Sequence, residues 1–170
     1  LVALTIGQCV AEPHWIDDIL AMAASHEGSA GFGGAIDPPR GGRWRDWALY
    51  FSRYSAYMPP LVAGPTLELA GDNAAYRKSA LAACEYVEAG FWENLIHHQV
   101  RSLGWTLSFS SGMRVQRGDG AGALQFCRER YRHGRYFGST RPGDSLRVRL
   151  MRILTAPAVA PYLVARIGLR

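Results

Sequence analysis

The sequence predicts a mixed α/β fold, and three observations support that class. The chain has 170 residues, which suits one domain of about 100 to 200 residues. Hydrophobic residues make up 48% of the chain and charged residues 19%, proportions that favour a folded core over disorder. Short β-type runs alternate along the chain with segments that have apolar residues at helical spacing. We therefore expect strands and helices packed around one core.

The first part of the chain begins with a strand and a helix. Residues 1–5 are a β-type run without an initiator Met or a lead-in, so we expect the chain to be a piece of a longer protein. Apolar residues at helical spacing, after two early aspartates, predict a helix over 15–27. A glycine-interrupted extended stretch follows over 30–36. The aromatic segment 44–57 fits either a helix or an ordered loop, stopped by Pro59-Pro60.

The second part contains the clearest helix. Its apolar stripe recurs at i, i+4, i+8 and i+11, namely Trp92, Ile96, Val100 and Leu103, with Gly104 at the C-terminal cap. The other elements expected here are strands at 67–70, 106–110 and 113–116, a glycine-led turn over 71–78, and helices at 79–84 and 121–134. A last helix begins near Ser145, and we expect Pro157 to end it because proline lacks an amide hydrogen.

Positive charge is concentrated in the C-terminal third. The net charge is +5, but residues 1–112 carry −4 and residues 113–170 carry +9. Such an arginine-rich end suits phosphate, nucleic acid or an anionic membrane surface, while a solvated helix face explains it equally well. The longest uncharged run near the end, 153–165, has 13 residues, against the roughly 20 needed to span a bilayer. No membrane span is therefore predicted.

The usual enzyme and metal motifs are absent from the sequence. Cys9, Cys84 and Cys127 lie far apart without a CxxC pair, so neither a disulfide framework nor a zinc cluster is encoded. No GxGxxG, GxxxxGK[ST], HExxH or GxSxG motif occurs. His97 and His98 point about 100° apart on a helix, which favours packing or surface roles over joint metal binding. Cysteine usage favours a reducing, cytoplasmic compartment.

Five short motifs together resemble the carboxyl-terminal half of family-2-type glycosyltransferases with the GT-A fold. They are 1–16 (LVALTIGQCVAEPHWI), 71–81 (GDNAAYRKSAL), 90–93 (GFWE), 103–107 (LGWTL) and 133–138 (HGRYFG). The resemblance covers nearly all 170 residues. It implies a partial, Rossmann-like GT-A domain over 1–140, a mixed sheet flanked by helices that lacks the amino-terminal nucleotide-binding half. A basic, partly apolar helical tail follows over 141–170.

The resemblance also implies an activity, the transfer of a sugar from a nucleotide-sugar donor to a hydroxyl acceptor that is a glycan or lipid-linked. Such a transfer needs a base that deprotonates the acceptor hydroxyl. Glu93 stands at the family's carboxylate position, although Asn94 follows where the family usually has Asp. Asp72 and Asn73 match the acceptor-side segment, and side chains that cap their own turn are the competing interpretation.

On the donor side, the departing diphosphate must be neutralised, in this family often by Mg²⁺ or Mn²⁺ on a DxD-type acidic cluster. That position is occupied by Ile6-Gly7-Gln8, which contains no carboxylate, so either arginines replace the cation or the site is degenerate. Gln8 could hydrogen-bond ribose or phosphate. Arg132 and Arg135 are the candidates for the diphosphate oxygens because guanidinium groups pair well with them, with a solvated basic face as the alternative.

Three function classes stay open. A glycosyltransferase is favoured; a catalytically lapsed relative that acts as a binding or scaffold module is supported by the missing acids. A basic nucleic-acid-binding domain is the third, but no RNA-binding motif occurs and nucleic acid is not an expected partner. We expect a cytoplasmic protein, attached peripherally to the inner membrane face through residues 145–170; packing of that tail on the domain is the alternative.

Overall fold

The computed structural model of the chain describes residues 1–85, 93–118, 123–140 and 145–168. Over these ranges the protein is a mixed α/β fold in which a mixed sheet is flanked by helices. The chain divides into two compact units. The first comprises Leu1–Gly42 and Ala56–Asp119, and the second comprises Arg43–Ser55 and Gly120–Arg170.

The first unit is built on a six-stranded sheet. Its strands are β1 (Val2–Thr5), β2 (Cys9–Ala11), β3 (Ser29–Asp37), β4 (Gly64–Thr66), β5 (Asn73–Tyr76) and β6 (Thr106–Arg117). The strand order is β1-β5-β3-β6-β2, and β4 pairs with the beginning of β6. β3 and β6 run parallel, whereas the other pairs are antiparallel. β1, β3 and β6 therefore all point their carboxyl ends the same way.

The described ranges contain six helices. Those of the first unit are α1 (Trp15–Ser25), α3 (Lys78–Ala82) and α4 (Glu93–Ser102), and those of the second are α2 (Trp44–Tyr54), α5 (Ala123–Thr140) and α6 (Leu146–Gly168). Ile96 and Val100 of the predicted α4 stripe are fully buried, packed in the core with Tyr76 and Leu107. Leu103, the last residue of the predicted stripe, is instead 50% exposed and lies just beyond the end of α4.

The central strand β3 is almost free of large side chains where its neighbours approach. A methyl group added to Gly31 would lie 2.6 Å from Cδ1 of Tyr76, and one added to Gly33 would lie 2.9 Å from Cδ2 of Leu69. At Gly34 it would lie only 1.8 Å from the carbonyl oxygen of Met113. The backbone of β6 therefore approaches β3 at a distance that only glycine permits.

Several predicted elements are confirmed and others need correction. The helix over 15–27, the extended stretch over 30–36 and the strand within 1–5 are present, and the aromatic segment 44–57 is mostly helix. The strand expected at 67–70 is wrong: the strand lies earlier, at Gly64–Thr66, because the Thr66 hydroxyl bonds to Glu68 and turns the chain there.

The glycine-led turn expected over 71–78 contains a buried strand, β5, which pairs on both sides. The two strands expected over 106–116 are one strand, β6, whose register against β3 shifts between Gly33 and Ala35. The last helix does not end at Pro157 but continues to Gly168 with Pro161 also inside it. Trp92 of the predicted stripe, and residues 121 and 122 at the start of another predicted helix, lie outside the described ranges.

No helix in the described ranges is both long enough and apolar enough to cross a membrane.

Candidate functional site

The structure brings together two of the predicted site residues, Asp72 and Glu93. Asp72 precedes β5 in the loop that begins at Gly71 and is 5% exposed; Glu93 begins α4 and is half-buried. A methyl group added to Gly71 would lie 2.3 Å from Oε1 of Glu93, so the carboxylate lies directly against the loop backbone. Glycine at this position is what gives the Glu93 side chain its space.

A tyrosine that sequence reasoning missed lies among the carboxylates. Burial, with the negative charges of Glu68, Glu93 and Asp72, raises the pKa of Tyr57 to about 12. The Tyr57 ring packs edge-to-face on Phe109, with 6.1 Å between ring centroids. The hydroxyl therefore keeps its proton at neutral pH and is available as a donor inside an acidic group of side chains. Glu68 was not predicted either.

A buried tyrosine–histidine pair lies behind Glu93. The Tyr76 hydroxyl and Nε2 of His97 are 2.7 Å apart, and both residues are fully buried. Burial, and secondarily Glu93 and Tyr57, raises the pKa of Tyr76, while burial and then Arg101 lower the pKa of His97 to about 4. His97 follows Glu93 by one helical turn, so the two side chains share a face of α4. The uncharged, hydrogen-bonded pair of Tyr76 and His97 therefore lies on the side of Glu93 that faces the protein interior.

The competing interpretation of Asn73, a side chain that caps its own turn, is wrong. Its Oδ1 accepts a hydrogen bond of 2.7 Å from Nε1 of Trp15 in α1. Its Nδ2 donates to the carbonyls of Ala35 in β3, at 2.9 Å, and Met113 in β6, at 3.0 Å. Asn73 thus joins three elements to the start of β5 and fixes the position of Asp72 beside it. Because Asn73 is fully buried, it stabilises the site by holding these elements together in the protein interior.

The predicted donor-side residues belong to different units of the chain. Thr5 pairs with Asn73 across β1 and β5, so the turn Ile6-Gly7-Gln8 continues from the Asp72 end of the sheet. Gln8 itself is half-buried, and its carbonyl accepts the backbone hydrogen of Gly118 at 2.8 Å, beyond the end of β6. Arg132 and Arg135 are exposed on α5, in the second unit.

A polar cleft of about 430 Å³ opens at the carboxyl ends of β3 and β6, which is where α/β sheets commonly bind ligands. The charged and amide side chains that line it are Glu12, Asp18, Asp37, Arg40, Arg114 and Gln116. Asp37 accepts two hydrogen bonds from Arg114, of 3.0 and 2.5 Å, and Nε of Arg40 donates to Oε1 of Gln116 at 3.0 Å. The pairing with Asp37 raises the pKa of Arg114. Sequence reasoning missed this cleft because, of these six residues, only Glu12 lies in one of the motifs and the others come from distant parts of the chain.

The residues present do not fit the divalent cation that the resemblance implies. The turn that replaces the acidic cluster, Ile6-Gly7-Gln8, has no carboxylate. In the part of the chain that the structure describes, no three His, Cys, Asp or Glu side chains are grouped so that they could hold a metal ion. The polar groups that the described part of the site offers are the carboxylates of Asp72 and Glu93 and the hydroxyl of Tyr57.

Packing or surface roles were predicted for His97 and His98, and the structure confirms them: His97 is buried on the Glu93 face of α4, and His98 is exposed. The residues that sequence reasoning missed carried no such signal. Tyr57 and Glu68 belong to irregular segments, and only the fold brings them to Glu93.

Comparison with known protein families and with curated proteins finds no match to this chain.

Proposed function

We propose that the protein is a glycosyltransferase of the family-2 type, with a GT-A fold, in which Glu93 is the base that deprotonates the acceptor hydroxyl. One observation supports this most: the carboxylate of Glu93 lies against the Gly71-Asp72 loop. These residues belong to two of the motifs that carry the resemblance and lie about 20 positions apart. Their meeting beside the carboxyl end of β1 supports the proposal, because a base and a second carboxylate then lie at one edge of the sheet.

The reaction assigns a simple task to each side chain. The acceptor oxygen forms a bond to the sugar carbon while the bond from that carbon to the nucleoside diphosphate breaks, with its electron pair leaving on the phosphate. The acceptor proton passes to a carboxylate oxygen of Glu93. A positioned base of this kind contributes roughly 10²- to 10⁴-fold to the rate. Asp72 and the Tyr57 hydroxyl are proposed to orient the acceptor by hydrogen bonds, since the negative charges of Glu93 and Asp72 both act on Tyr57.

The donor side depends on positive charge and amide groups. Arg132 and Arg135 are proposed to pair with the diphosphate oxygens, since a guanidinium presents two parallel donors to such a group. Gln8 is proposed to hydrogen-bond the ribose or a phosphate. Replacing Arg132 or Arg135 by Gln would raise the KM for the donor and leave kcat nearly unchanged if the arginines only bind it.

A catalytically lapsed binding module is the second candidate, and one observation favours it. The two positions where the family carries acids hold other residues, Gln8 within its turn and Asn94 after Glu93. Asn94 is exposed at the start of α4, so nothing in the packing excludes an aspartate there. In this case the site binds its ligands without turnover.

The test is release of nucleoside diphosphate from a panel of nucleotide sugars by the natural protein that contains these residues. Glu93→Gln keeps the shape of the side chain and removes its basicity, so kcat is expected to fall about 100-fold or more while donor affinity stays near wild type. Gly71→Ala leaves Glu93 in place but displaces its carboxylate, because the new methyl group would lie 2.3 Å from Oε1. That clash involves only the end of a flexible side chain, so activity falls while the free energy of unfolding changes little.

Gly28→Ala is the matched control, because a methyl group there would meet nothing within 4 Å. Near-normal kcat in Glu93→Gln would contradict the assignment and make Asp72 the next candidate for the base. Binding of donor by the wild type without turnover, together with activity gained on Asn94→Asp, would favour the lapsed module.

A further inference from the structure

The last helix of the chain, α6, presents an uncovered amphipathic surface. It runs from Leu146 to Gly168, 23 residues, or about 34 Å at 1.5 Å per residue. Every side chain from Leu146 to Val159 is exposed except that of Val148, which is half-buried. The apolar side of this helix is therefore open to an outside partner.

Met151, Val159 and Tyr162 are exposed on one side of α6, and a second group of exposed apolar residues forms a stripe on the other side. The members of the stripe are spaced by three or four positions and so share a face of the helix: Leu146, Leu150, Ile153, Leu154 and Pro157. Their large aliphatic side chains are 51% exposed at Leu150 and up to 79% exposed at Leu154. An apolar stripe with this exposure is typical of a surface that binds a partner rather than of one left in water.

Charge indicates what kind of partner covers the stripe. Residues 145–170 contain five arginines and no acidic residue. Helical spacing places Arg147 and Arg149 along the two edges of the stripe, and Arg152 further round. Four more exposed arginines lie on α5, in the same unit: Arg128, Arg130, Arg132 and Arg135. An apolar face bordered by arginines is complementary to a surface that has acyl chains below and negative phosphates above.

The two prolines favour a helix that lies on such a surface over one that enters it. Pro157 and Pro161 have no amide hydrogen, so the carbonyls of Ile153 and Pro157 lose their usual helical donor. Hydrocarbon makes such carbonyls costly, whereas water at the headgroup level can satisfy them. This agrees with the finding that no described helix is apolar enough to span a bilayer.

We propose that α6 lies in the plane of an anionic phospholipid surface, with its stripe at the acyl-chain boundary and its arginines at the lipid phosphates. Nucleic acid would bind the same arginines but would leave the stripe uncovered. The leucines of the stripe should therefore contribute to binding of a phospholipid surface but not to binding of nucleic acid.

The experiment is co-sedimentation of the full chain with vesicles of phosphatidylcholine, alone or with about 30% phosphatidylserine. Binding is expected on the anionic vesicles. Combining Arg147→Gln with Arg149→Gln should weaken it roughly 25-fold, since each arginine near such a surface is worth roughly fivefold. Combining Leu150→Gln with Leu154→Gln should weaken it by about tenfold or more, because the stripe loses apolar area.

The matched control combines Thr155→Gln with Val159→Gln, on the opposite side of α6, and should bind like wild type. All four positions are exposed, so circular dichroism is expected to show the same fold in each variant. The proposal is overturned if the wild type does not sediment with anionic vesicles, or if the Leu150/Leu154 variant binds as tightly as wild type. Binding to a DNA duplex that depends on the arginines, while neither vesicle type sediments the protein, would identify a nucleic-acid surface instead.

Discussion

Acidification should destabilise this protein through one buried side chain, His97. Burial lowers the pKa of His97 to about 4 from its ordinary 6.5, and the positive charge of Arg101 acts in the same direction. The imidazole is fully buried, and its Nε2 bonds to the hydroxyl of Tyr76. Within the described residues the Nδ1 atom of His97 has no hydrogen-bond partner. A second proton on the imidazole of the folded protein would therefore have no acceptor.

The direction and the size of this pH effect on stability follow from proton linkage. Between about pH 6.5 and pH 4 the unfolded chain binds a proton at His97 that the folded chain does not, so stability falls as the pH drops through this window. Below about pH 4, His97 is protonated in both the folded and the unfolded state, so the loss of stability stops growing. Each pH unit in the window costs about 1.4 kcal/mol, which amounts to about 3 kcal/mol in full and about 2 kcal/mol by pH 5.

The assay is urea denaturation, followed by circular dichroism, at about pH 7.5 and about pH 5. His97→Gln keeps a polar atom near the Tyr76 hydroxyl but does not titrate, so its loss of stability between the two conditions should be smaller than that of wild type by about 2 kcal/mol. His98→Gln is the matched control, because His98 is exposed on the same helix, and it should behave like wild type. Equal losses in wild type and His97→Gln would refute the reasoning.

Two further predictions concern stability. Asn73→Ala removes three hydrogen bonds that join β5 to α1, β3 and β6, and should lower the free energy of unfolding by about 3 kcal/mol in a urea titration. Asn94→Ala, at an exposed asparagine, should change it by less than about 0.5 kcal/mol, and equal effects would contradict the structural role of Asn73. Gly34→Ala would place a methyl group 1.8 Å from the Met113 carbonyl and should prevent stable folding, whereas Gly7→Ala, which meets nothing within 4 Å, should melt within a few degrees of wild type. A cooperative thermal transition for Gly34→Ala at the wild-type temperature would show that β3 and β6 are not so close.

Local patterns in the sequence were sufficient for the helices that pack on the core. The stripe of Ile96 and Val100 predicted α4 because both residues face the interior at helical spacing. β5 was missed because it follows Gly71-Asp72 and begins with an asparagine, a composition typical of turns. Its strand conformation comes from β1 and β3, which pair with it on either side and are distant in sequence.

The candidate site was predictable only in part, for a related reason. Glu93 and Asp72 were each identified through the resemblance, but no local pattern indicates that Gly71 lies against the carboxylate. Tyr57 and Glu68 belong to segments without regular structure, so their approach to Glu93 depends on the path of the whole chain. Pro157 misled the prediction of α6 because a proline weakens a helix without always ending it.

The glycines of β3 limit where this protein can accept amino-acid substitutions. Tyr76 occupies the space above Gly31, and Leu69 occupies the space above Gly33, so neither position accepts a side chain without displacing a buried neighbour. Tyr76 is also the residue that holds His97 behind Glu93. Substitutions that this protein tolerates should therefore leave Gly31 and Gly33 unchanged. Variation should collect instead at exposed residues of the polar cleft such as Arg40, where substitutions cost little stability.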